Sequence, residues 1–289
     1  MAAEDIDPRR VRVATVAPAV EPWRSEVLRL VRSVRVLDSP LRAAQIVCYI
    51  DRVADSELAS ALHDLSATVR LISPVDARAA MGNNQVMLDD DGSYDWLVAL
   101  DCDIVVTGDF SAELAGDALG AAPVNNALVP LGEWRQFFEC FGLEMPSERF
   151  RSLQHATVCP PYYNAGVLIV PSRLVTPTRK AWAQWLARVV DAFEEGQVPV
   201  TFRSRKAFSD QLAFMLAVAA ERIPHRALPV EMHVATQVPI HPMFHPEIIE
   251  PSFIHYHHHV DDRGNLIATG YAGIDRVISR FTSSLEECV

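Results

Sequence analysis

The sequence predicts an α/β fold in which helices cover both faces of a sheet. Apolar, strand-like runs alternate with helical patterns between residues 11 and 100, which is typical of parallel strands joined by helices. The run from Trp96 to Leu100 is apolar at every position, as in a strand buried on both faces. The chain has 289 residues, and neither a repeat nor a flexible linker divides it. We therefore expect a single two-part domain.

The first half of the chain supplies the clearest elements. Strands are predicted over residues 11–17, 45–50, 68–72 and 96–100. Apolar residues at helical spacing predict one helix between the first two strands, ending before Pro40, and a second that begins near Leu58. Residues 76–90 are expected to form a loop followed by a short helix.

The second half is less regular, and residues 110–160 yield no defined element. Further strands are expected over residues 162–170 and 253–254, and helices around residues 182–193, 209–219 and 274–285. Ser209 is a candidate N-cap for the second of these helices. An aromatic cluster lies in the irregular middle and consists of Trp134, Phe137, Phe138 and Phe141.

Composition excludes several function classes. The net charge is −11, whereas a general nucleic-acid-binding protein would be basic, so no nucleic-acid partner is expected. The five cysteines are scattered and form no Cys-x-x-Cys pair, which argues against a zinc ribbon or a disulfide framework. No apolar stretch is long enough to span a bilayer, and the first residues do not resemble a signal peptide. We therefore expect a cytoplasmic protein without a transmembrane segment.

Two carboxylates follow the central predicted strand. Asp101 and Asp103 stand at its carboxyl end, where ligands bind in sheets of this kind. A buried carboxylate is costly unless it is paired or bound to a metal, and two hard oxygen ligands suit Mg²⁺ or Mn²⁺. A purely structural interpretation is also open, because acids at strand ends often cap helices or pair with arginines.

Asn164 and Gly166 interrupt the predicted strand over residues 162–170. A glycine inside a strand often marks a bulge or the close approach of a ligand. An asparagine side chain can both donate to and accept from a hydroxyl group. The pattern is therefore compatible with either a plain β-bulge or a sugar contact.

Two further segments carry candidate site residues. Asp210 and Gln211 begin a predicted helix, where an acid gains about 0.3–1 kcal/mol from the helix dipole whether or not it is catalytic. The run from His255 to His259 includes four histidines, and histidine is a frequent metal ligand. In a strand, His255 and His257 would point to the same side, although a solvated histidine-rich loop would also explain the run.

Taken in order, these segments resemble the nucleotide-sugar glycosyltransferases of the GT-A fold. The resemblance is strongest to the retaining family 8 group, which includes glycogenin and bacterial galactosyltransferases. It rests on Leu-Asp-Cys-Asp-Ile-Val-Val at 100–106, Tyr-Asn-Ala-Gly-Val-Leu-Ile at 163–169, Asp-Gln at 210–211 and Phe-Ile-His-Tyr at 253–256. It implies a Rossmann-like mixed sheet over residues 11–260, with a nucleotide-binding half (11–110) and an acceptor and sugar half (111–260). Residues 261–289 would form a C-terminal helical extension.

The resemblance also implies a metal site. The matching positions for the ligands of Mn²⁺ (or Mg²⁺) are Asp101, Asp103 and His255, with His257 as the second choice for the third ligand. The ion would hold the donor diphosphate and act as a Lewis acid as that group leaves.

Other matched positions imply contacts with substrates. Thr15 and Ala17 match the part that holds the nucleoside, while Asn164, together with Gly166, matches a contact to sugar or acceptor. Two departures affect the phosphate contacts. By spacing, Asn84 stands where the family has a basic residue that contacts the donor phosphate, and the nearby Arg78 is a candidate to make that contact instead. The family also has a basic residue after its late histidine, and His258 or Arg263 would replace it here.

The implied reaction transfers a sugar from a UDP- or GDP-sugar to a small-molecule, glycan or peptide acceptor, with retention of configuration. Asp210 and Gln211 match catalytic positions. Because a neutral amide is a poor nucleophile, attack from the leaving-group face is favoured, with both residues positioning the sugar.

Two alternatives remain open. Haloacid-dehalogenase-like phosphatases also carry Asp-x-Asp after an apolar strand, although usually near the chain start, and an inactive carbohydrate-binding module would keep the same fold.

Overall fold

A computed structural model of the chain shows a seven-stranded central sheet and two smaller sheets. The structure describes residues 6–51, 55–73, 75, 78 and 82–286. The strands are β1 (Val11–Pro18), β2 (Gln45–Asp51), β3 (Ala67–Ile72), β4 (Trp96–Leu100), β5 (Ile104–Val106), β6 (Leu119–Pro123), β7 (Phe150–Arg151), β8 (Val158–Cys159), β9 (Tyr163–Pro171), β10 (His225–Ala227), β11 (Val234–Ala235) and β12 (Phe253–His255).

The central sheet is mixed, with the order β10-β6-β9-β4-β1-β2-β3. β1 runs parallel to both β2 and β4, and β9 lies antiparallel between β4 and β6. The sheet therefore takes strands from both halves of the chain that the sequence analysis separated. This joins them into a single α/β domain, as predicted, while the division of labour between the halves stays a prediction.

Helices pack on both faces of this sheet, which confirms the predicted layering. They are α1 (Trp23–Arg35), α2 (Ser56–Asp64), α3 (Leu131–Cys140), α4 (Ser172–Glu194), α5 (Ser209–Ala220) and α6 (Ala272–Glu286). Side chains alternate along β4, so that Leu97 joins the core beneath α3, α4 and α5, while Val98 joins the core beneath α1 and α2. The short helix expected within residues 76–90 is a 3-10 helix at Gly82–Met87; residues 76, 77 and 79–81 lie outside the described residues.

The segment that the sequence left irregular holds a strand and a helix. β6 consists of Leu-Gly-Ala-Ala-Pro, and its small residues give little strand propensity. The aromatic cluster forms α3, where Trp134 packs against Tyr162 at 5.0 Å and against Phe202 at 4.9 Å between ring centroids. Phe202 is also stacked on Phe137 at 4.3 Å. The cluster thereby anchors the 3-10 helix Val200–Phe208, which the sequence analysis did not predict.

A three-stranded sheet, ordered β11-β12-β5, brings distant parts of the chain together. β12 is antiparallel to β5, and His255 is paired with Ile104. The predicted C-terminal extension contains α6, whose Ile274 and Val277 pack in one core with Ile254 of β12; residues 287–289 lie outside the described residues. None of the helices within the described ranges has the length and hydropathy needed to cross a membrane.

Candidate functional site

The pairing of β12 with β5 builds a cluster of three potential metal ligands. His255 Nε2 lies 3.0 Å from Asp103 Oδ1, and His257 Nδ1 lies 3.5 Å from Asp103 Oδ2. The two imidazole rings are stacked, with centroids 3.6 Å apart. One ligand atom from each of these three residues lies within 4.8 Å of the other two. The sequence named Asp103 and His255 as metal ligands, and the structure brings them together.

Asp101 stands at the edge of this cluster. Its Oδ2 lies 4.0 Å from His255 Nε2, while its Oδ1 accepts a hydrogen bond of 3.0 Å from Asn84 Nδ2. His257, the second choice in the sequence analysis, belongs with Asp103 and His255 to the group whose ligand atoms lie within 4.8 Å of one another. Asn84, for which the sequence analysis predicted a substrate contact, orients Asp101 by this hydrogen bond.

His233 supports the cluster and was not found from the sequence. This residue is buried just before β11, and its Nε2 lies 2.9 Å from His255 Nδ1. Burial lowers the pKa of His233 well below its ordinary value, so that its ring is neutral. A metal ion at His255 Nε2 would require the His255 proton to be on Nδ1, from which it can be donated to His233. No local motif marks His233, because the contact exists only after β11 and β12 pair.

Burial and neighbouring charges act together on the pKa values of the cluster. Burial alone would raise the pKa of Asp103, but the charge and hydrogen bond of His255 hold that pKa well below its ordinary range. Burial likewise opposes the charged form of His255, yet Asp103, together with the charges of Asp101 and Glu26, outweighs burial and raises the pKa of His255. Burial, followed by the charge of His255, lowers the pKa of His257 to about 3. A metal ion at this site would therefore compete with the His255 proton for Asp103.

Gly166 allows Asp101 to reach the site. The register of β6 against β9 shifts between Ala121 and Ala122, an irregularity of the kind that a glycine inside a strand often marks. Asn164 Oδ1 accepts a hydrogen bond of 2.8 Å from the Gly166 backbone N–H. A Cβ atom at Gly166 would lie 2.3 Å from Asp101 Oδ2. The close approach that this glycine permits is thus made by the Asp101 side chain.

A pocket of about 800 Å³ opens beside the cluster, at the carboxyl ends of β1 and β4. Most of the residues predicted from the sequence line it, namely Ala17, Asn84, Asp101, Asp103, Asn164, Asp210, Gln211, His255 and His258. Three others stand apart. Thr15 is fully buried within β1, and Gly166 lies behind Asp101. Arg78 forms ion pairs with Asp191 and Glu194 of α4, at 2.8 and 3.1 Å.

His258 reaches the pocket through an unusual turn. Both His257 and His258 have positive φ angles, 43° and 64°, a conformation that costs free energy outside glycine. The Nδ1 atom of His258 lies 2.5 Å from Oε1 of Glu26, which is buried in the first turn of α1. The ring of Trp23 meets His258 edge-on at 6.2 Å. These contacts hold His258 at the pocket wall, whereas Arg263 is not among the lining residues.

Asp210 is a buried acid at the start of α5. It is 2% exposed, and its Oδ1 atom has no hydrogen-bond partner among the described residues. Burial raises the pKa of Asp210 to about 8, although the backbone N–H of Gln211 acts against that rise. Its backbone carbonyl accepts a hydrogen bond of 2.9 Å from Trp182 Nε1. At neutral pH the carboxyl is therefore mainly protonated and faces the pocket as a neutral group.

Asp210→Asn is expected to flatten the pH dependence of stability. The folded carboxyl keeps its proton up to about pH 8, whereas an unfolded aspartate releases it near pH 3.9. The folded state thus binds more protons between these values, so the free energy of unfolding falls as pH rises through this window. Urea unfolding of both proteins at several pH values measures the slope. An equally steep decline in the variant would contradict the raised pKa.

The pocket also contains residues that the sequence analysis did not single out. Trp23 begins α1 and Arg205 belongs to the 3-10 helix Val200–Phe208. The others are amides from irregular segments, namely Asn125, Asn126, Gln154 and Gln237. These segments are joined by backbone hydrogen bonds, such as that of 2.9 Å from the Gln154 N–H to the Asn125 carbonyl. Amides scattered through irregular segments carry no recognisable spacing, and only the folded chain brings them to one wall.

Comparison with known proteins identifies the class. The profile of the Rhodobacterales glycosyltransferase domain matches residues 31–222. An active-site mutant of LgtC, in which glutamate replaces glutamine, has a similar structure, with a TM-score of 0.55 and 12% identity over 96% of this chain and 95% of that chain. The galactosyltransferase LgtC in complex with donor and acceptor sugar analogues aligns over the same shares of the two chains, with a TM-score of 0.52 and 14% identity. No curated protein sequence gives a significant match.

These findings agree on the fold and on the enzyme class. The structural likeness shows the GT-A fold that the sequence predicted, and the profile points to glycosyl transfer and away from the phosphatase interpretation. Because the profile covers well over half of the residues, the chain belongs to the Rhodobacterales glycosyltransferase domain family.

Proposed function

We propose that the chain is a metal-dependent glycosyltransferase that takes a sugar from a UDP- or GDP-sugar and transfers it with retention of configuration. One observation carries this proposal. The ligand atoms of Asp103, His255 and His257 lie within 4.8 Å of one another beside a pocket of about 800 Å³. A pocket of that size is in the range of ligand-binding clefts.

The residues present fit a divalent cation. A carboxylate and two imidazoles suit Mn²⁺ chemically, and the Nε2 atom of His257 is buried without a hydrogen-bond partner among the described residues. Asp103 and His255 would hold the ion, with either Asp101 or His257 completing the set. When bound, the ion supplies Lewis-acid stabilisation to the diphosphate that leaves.

The remaining lining residues are assigned to the substrates. Ala17, at the end of β1, contacts the nucleoside, with Thr15 supporting that strand from within. Asn84 holds Asp101 towards the donor, and His258 contacts the diphosphate. Asn164 contacts the sugar. Arg78 has no assigned role, because it forms ion pairs with Asp191 and Glu194 of α4 and does not line the pocket.

Asp210 and Gln211 position the donor sugar. Burial keeps Asp210 mainly protonated at neutral pH, and a protonated acid is a poor nucleophile, as is the Gln211 amide. This favours attack by the acceptor from the leaving-group side over a covalent intermediate on Asp210. The relative LgtC has a glutamine in its active site, as the description of its mutant states. In this chain, Gln211 lines the pocket beside the metal cluster.

Isothermal titration of UDP- and GDP-sugars into the protein tests the proposal. At least one nucleotide sugar is expected to bind in the presence of Mn²⁺ and to bind at least about tenfold more weakly after chelation of the metal. Binding with no turnover across a broad acceptor screen would favour the inactive carbohydrate-binding module. If no nucleotide sugar binds with Mn²⁺ present, the proposal is wrong.

A further inference from the structure

One part of the pocket wall differs chemically from the metal cluster. It consists of four carboxamide side chains, here called the amide wall: Asn125, Asn126, Gln154 and Gln237. Carboxamides offer both donors and acceptors, which suits the hydroxyl groups of a sugar. The Oδ1 atom of Asn125 is buried and accepts no hydrogen bond from the described residues. A buried acceptor without a partner is costly, so a donor from a bound ligand would satisfy it.

The amide wall is continuous with Tyr162. The backbone N–H of Val124 donates to the Tyr162 carbonyl at 3.1 Å, and that of Gln154 donates to the Asn125 carbonyl at 2.9 Å. The Tyr162 ring is buried against Trp134. This part of the wall therefore rests on the aromatic core of α3, which gives it a defined shape.

A single arginine joins this wall. Arg205 lines the pocket, is partly buried and forms a side-chain hydrogen bond with Tyr162. Among the described lining residues it is the only arginine or lysine. Lys206, its neighbour, is ion-paired with Glu194 at 3.9 Å, but no carboxylate of the described chain forms such a pair with Arg205. Arg205 belongs to the 3-10 helix Val200–Phe208, and Phe202 of that helix is fully buried and anchors it.

The charge of Arg205 thus faces the pocket without an internal counter-charge. A guanidinium stays protonated and matches carboxylate and phosphate oxygens in a bidentate geometry. In a chain with a net charge of −11, an anionic ligand is repelled overall, so that a local cation is needed to hold one. The donor diphosphate already has the metal cluster and His258 under the proposed function.

We propose that the amide wall and Arg205 form the acceptor site, and that the acceptor carries a carboxylate or a phosphate beside its hydroxyl groups. This inference rests on the proposed function, because it assigns the donor to the metal cluster. Arg205 would bind the anionic group, and the amide wall would bind hydroxyls of the same sugar or of its neighbour. The attacking hydroxyl would then face the donor sugar near Gln211.

Three matched probes test the assignment. They are methyl glucoside, methyl glucuronide and the phosphate ester of methyl glucoside at its primary hydroxyl, and their binding to the protein loaded with UDP or GDP and Mn²⁺ is measured by ligand-observed NMR. At least one charged probe is expected to bind about tenfold more tightly than methyl glucoside, as for a charge-assisted bidentate contact. The two charged probes show whether a carboxylate or a phosphate is preferred.

Two variants locate the preference. Arg205→Gln is expected to remove this preference while leaving the affinity for the nucleotide unchanged. Lys206→Gln, at the exposed neighbouring position, is the matched control that retains the preference. Arg205→Lys keeps the charge and serves if the glutamine variant fails to fold; it is expected to retain part of the preference.

Several outcomes would overturn the inference. They are equal binding of all three probes to the wild-type protein, a preference that survives in Arg205→Gln, and a loss of nucleotide affinity in that variant as large as the loss of probe affinity. The last result would place Arg205 in the donor site. Failure of the proposed function is distinguishable, because it shows as absent nucleotide binding in the wild-type protein before any probe is added.

Discussion

Asp103→Ala is expected to abolish Mn²⁺-dependent donor binding while leaving the fold intact. Asp103 is the shared partner of His255 and His257, at 3.0 and 3.5 Å, so its loss removes the only carboxylate of the three-residue cluster. Losing a group that merely orients a metal ligand lowers metal affinity about 10–100-fold, and a direct ligand should cost more. Titration of Mn²⁺, followed by titration of the nucleotide sugar, measures both effects.

The fold should tolerate this change because the local backbone pairing does not use the carboxylate. The Tyr256 N–H donates to the backbone carbonyl of Asp103, and that bond survives in the variant. Asp117→Ala is a suitable control, since Asp117 is an aspartate whose side chain is 93% exposed. Circular dichroism should match the wild-type spectrum in both variants. Donor binding that keeps its dependence on Mn²⁺ in Asp103→Ala would rule out this cluster as the metal site.

Gly166→Ala is expected to damage both stability and metal binding. The added Cβ would stand 2.3 Å from Asp101 Oδ2 and 2.9 Å from Asn164 Oδ1, so one or both side chains must move. Overpacking of this kind costs about 1–3 kcal/mol of unfolding free energy. Movement of Asp101 also breaks its hydrogen bond with Asn84 and shifts it relative to His255. Denaturant unfolding and Mn²⁺ titration report the two effects separately.

Gly132→Ala is the matched control for that substitution. Gly132 lies in the first turn of α3, and a Cβ there would meet no atom within 4 Å. Alanine in a helix is favoured over glycine by about 0.5–1 kcal/mol, so this variant should be as stable as the wild type or more stable. If Gly166→Ala behaves like Gly132→Ala in both measurements, the close approach of Asp101 to Gly166 is not needed for stability or for metal binding.

The sequence was most informative where local pattern and burial coincide. β4 is apolar throughout and is buried on both faces, so its continuous apolar sequence was enough to predict a central strand. The acids after it were recognisable because core packing gives no reason for them there. Asn164 and Gly166 were also visible, although their pattern did not show that the bulge makes room for Asp101.

Other parts of the site depend on contacts between distant segments. His233 is an isolated histidine until β11 lies beside β12, which places it against His255. Arg205 belongs to a 3-10 helix whose position is set by the packing of Phe202 on Phe137, a contact that no local periodicity reports. Arg78 is close in sequence to a position that is basic in the resembled family, but its ion pairs with the acids of α4 determine where its side chain lies.

Release of nucleoside diphosphate from a panel of UDP- and GDP-sugars tests the central claim most directly, because hydrolysis of the donor needs no acceptor. The proposed function predicts that at least one donor is hydrolysed by the wild-type protein with Mn²⁺, that chelation of the metal stops the release, and that Asp103→Ala does not release it. Release at the same rate with the metal chelated, or by Asp103→Ala at the wild-type rate, would contradict the claim that this pocket is a metal-dependent nucleotide-sugar site.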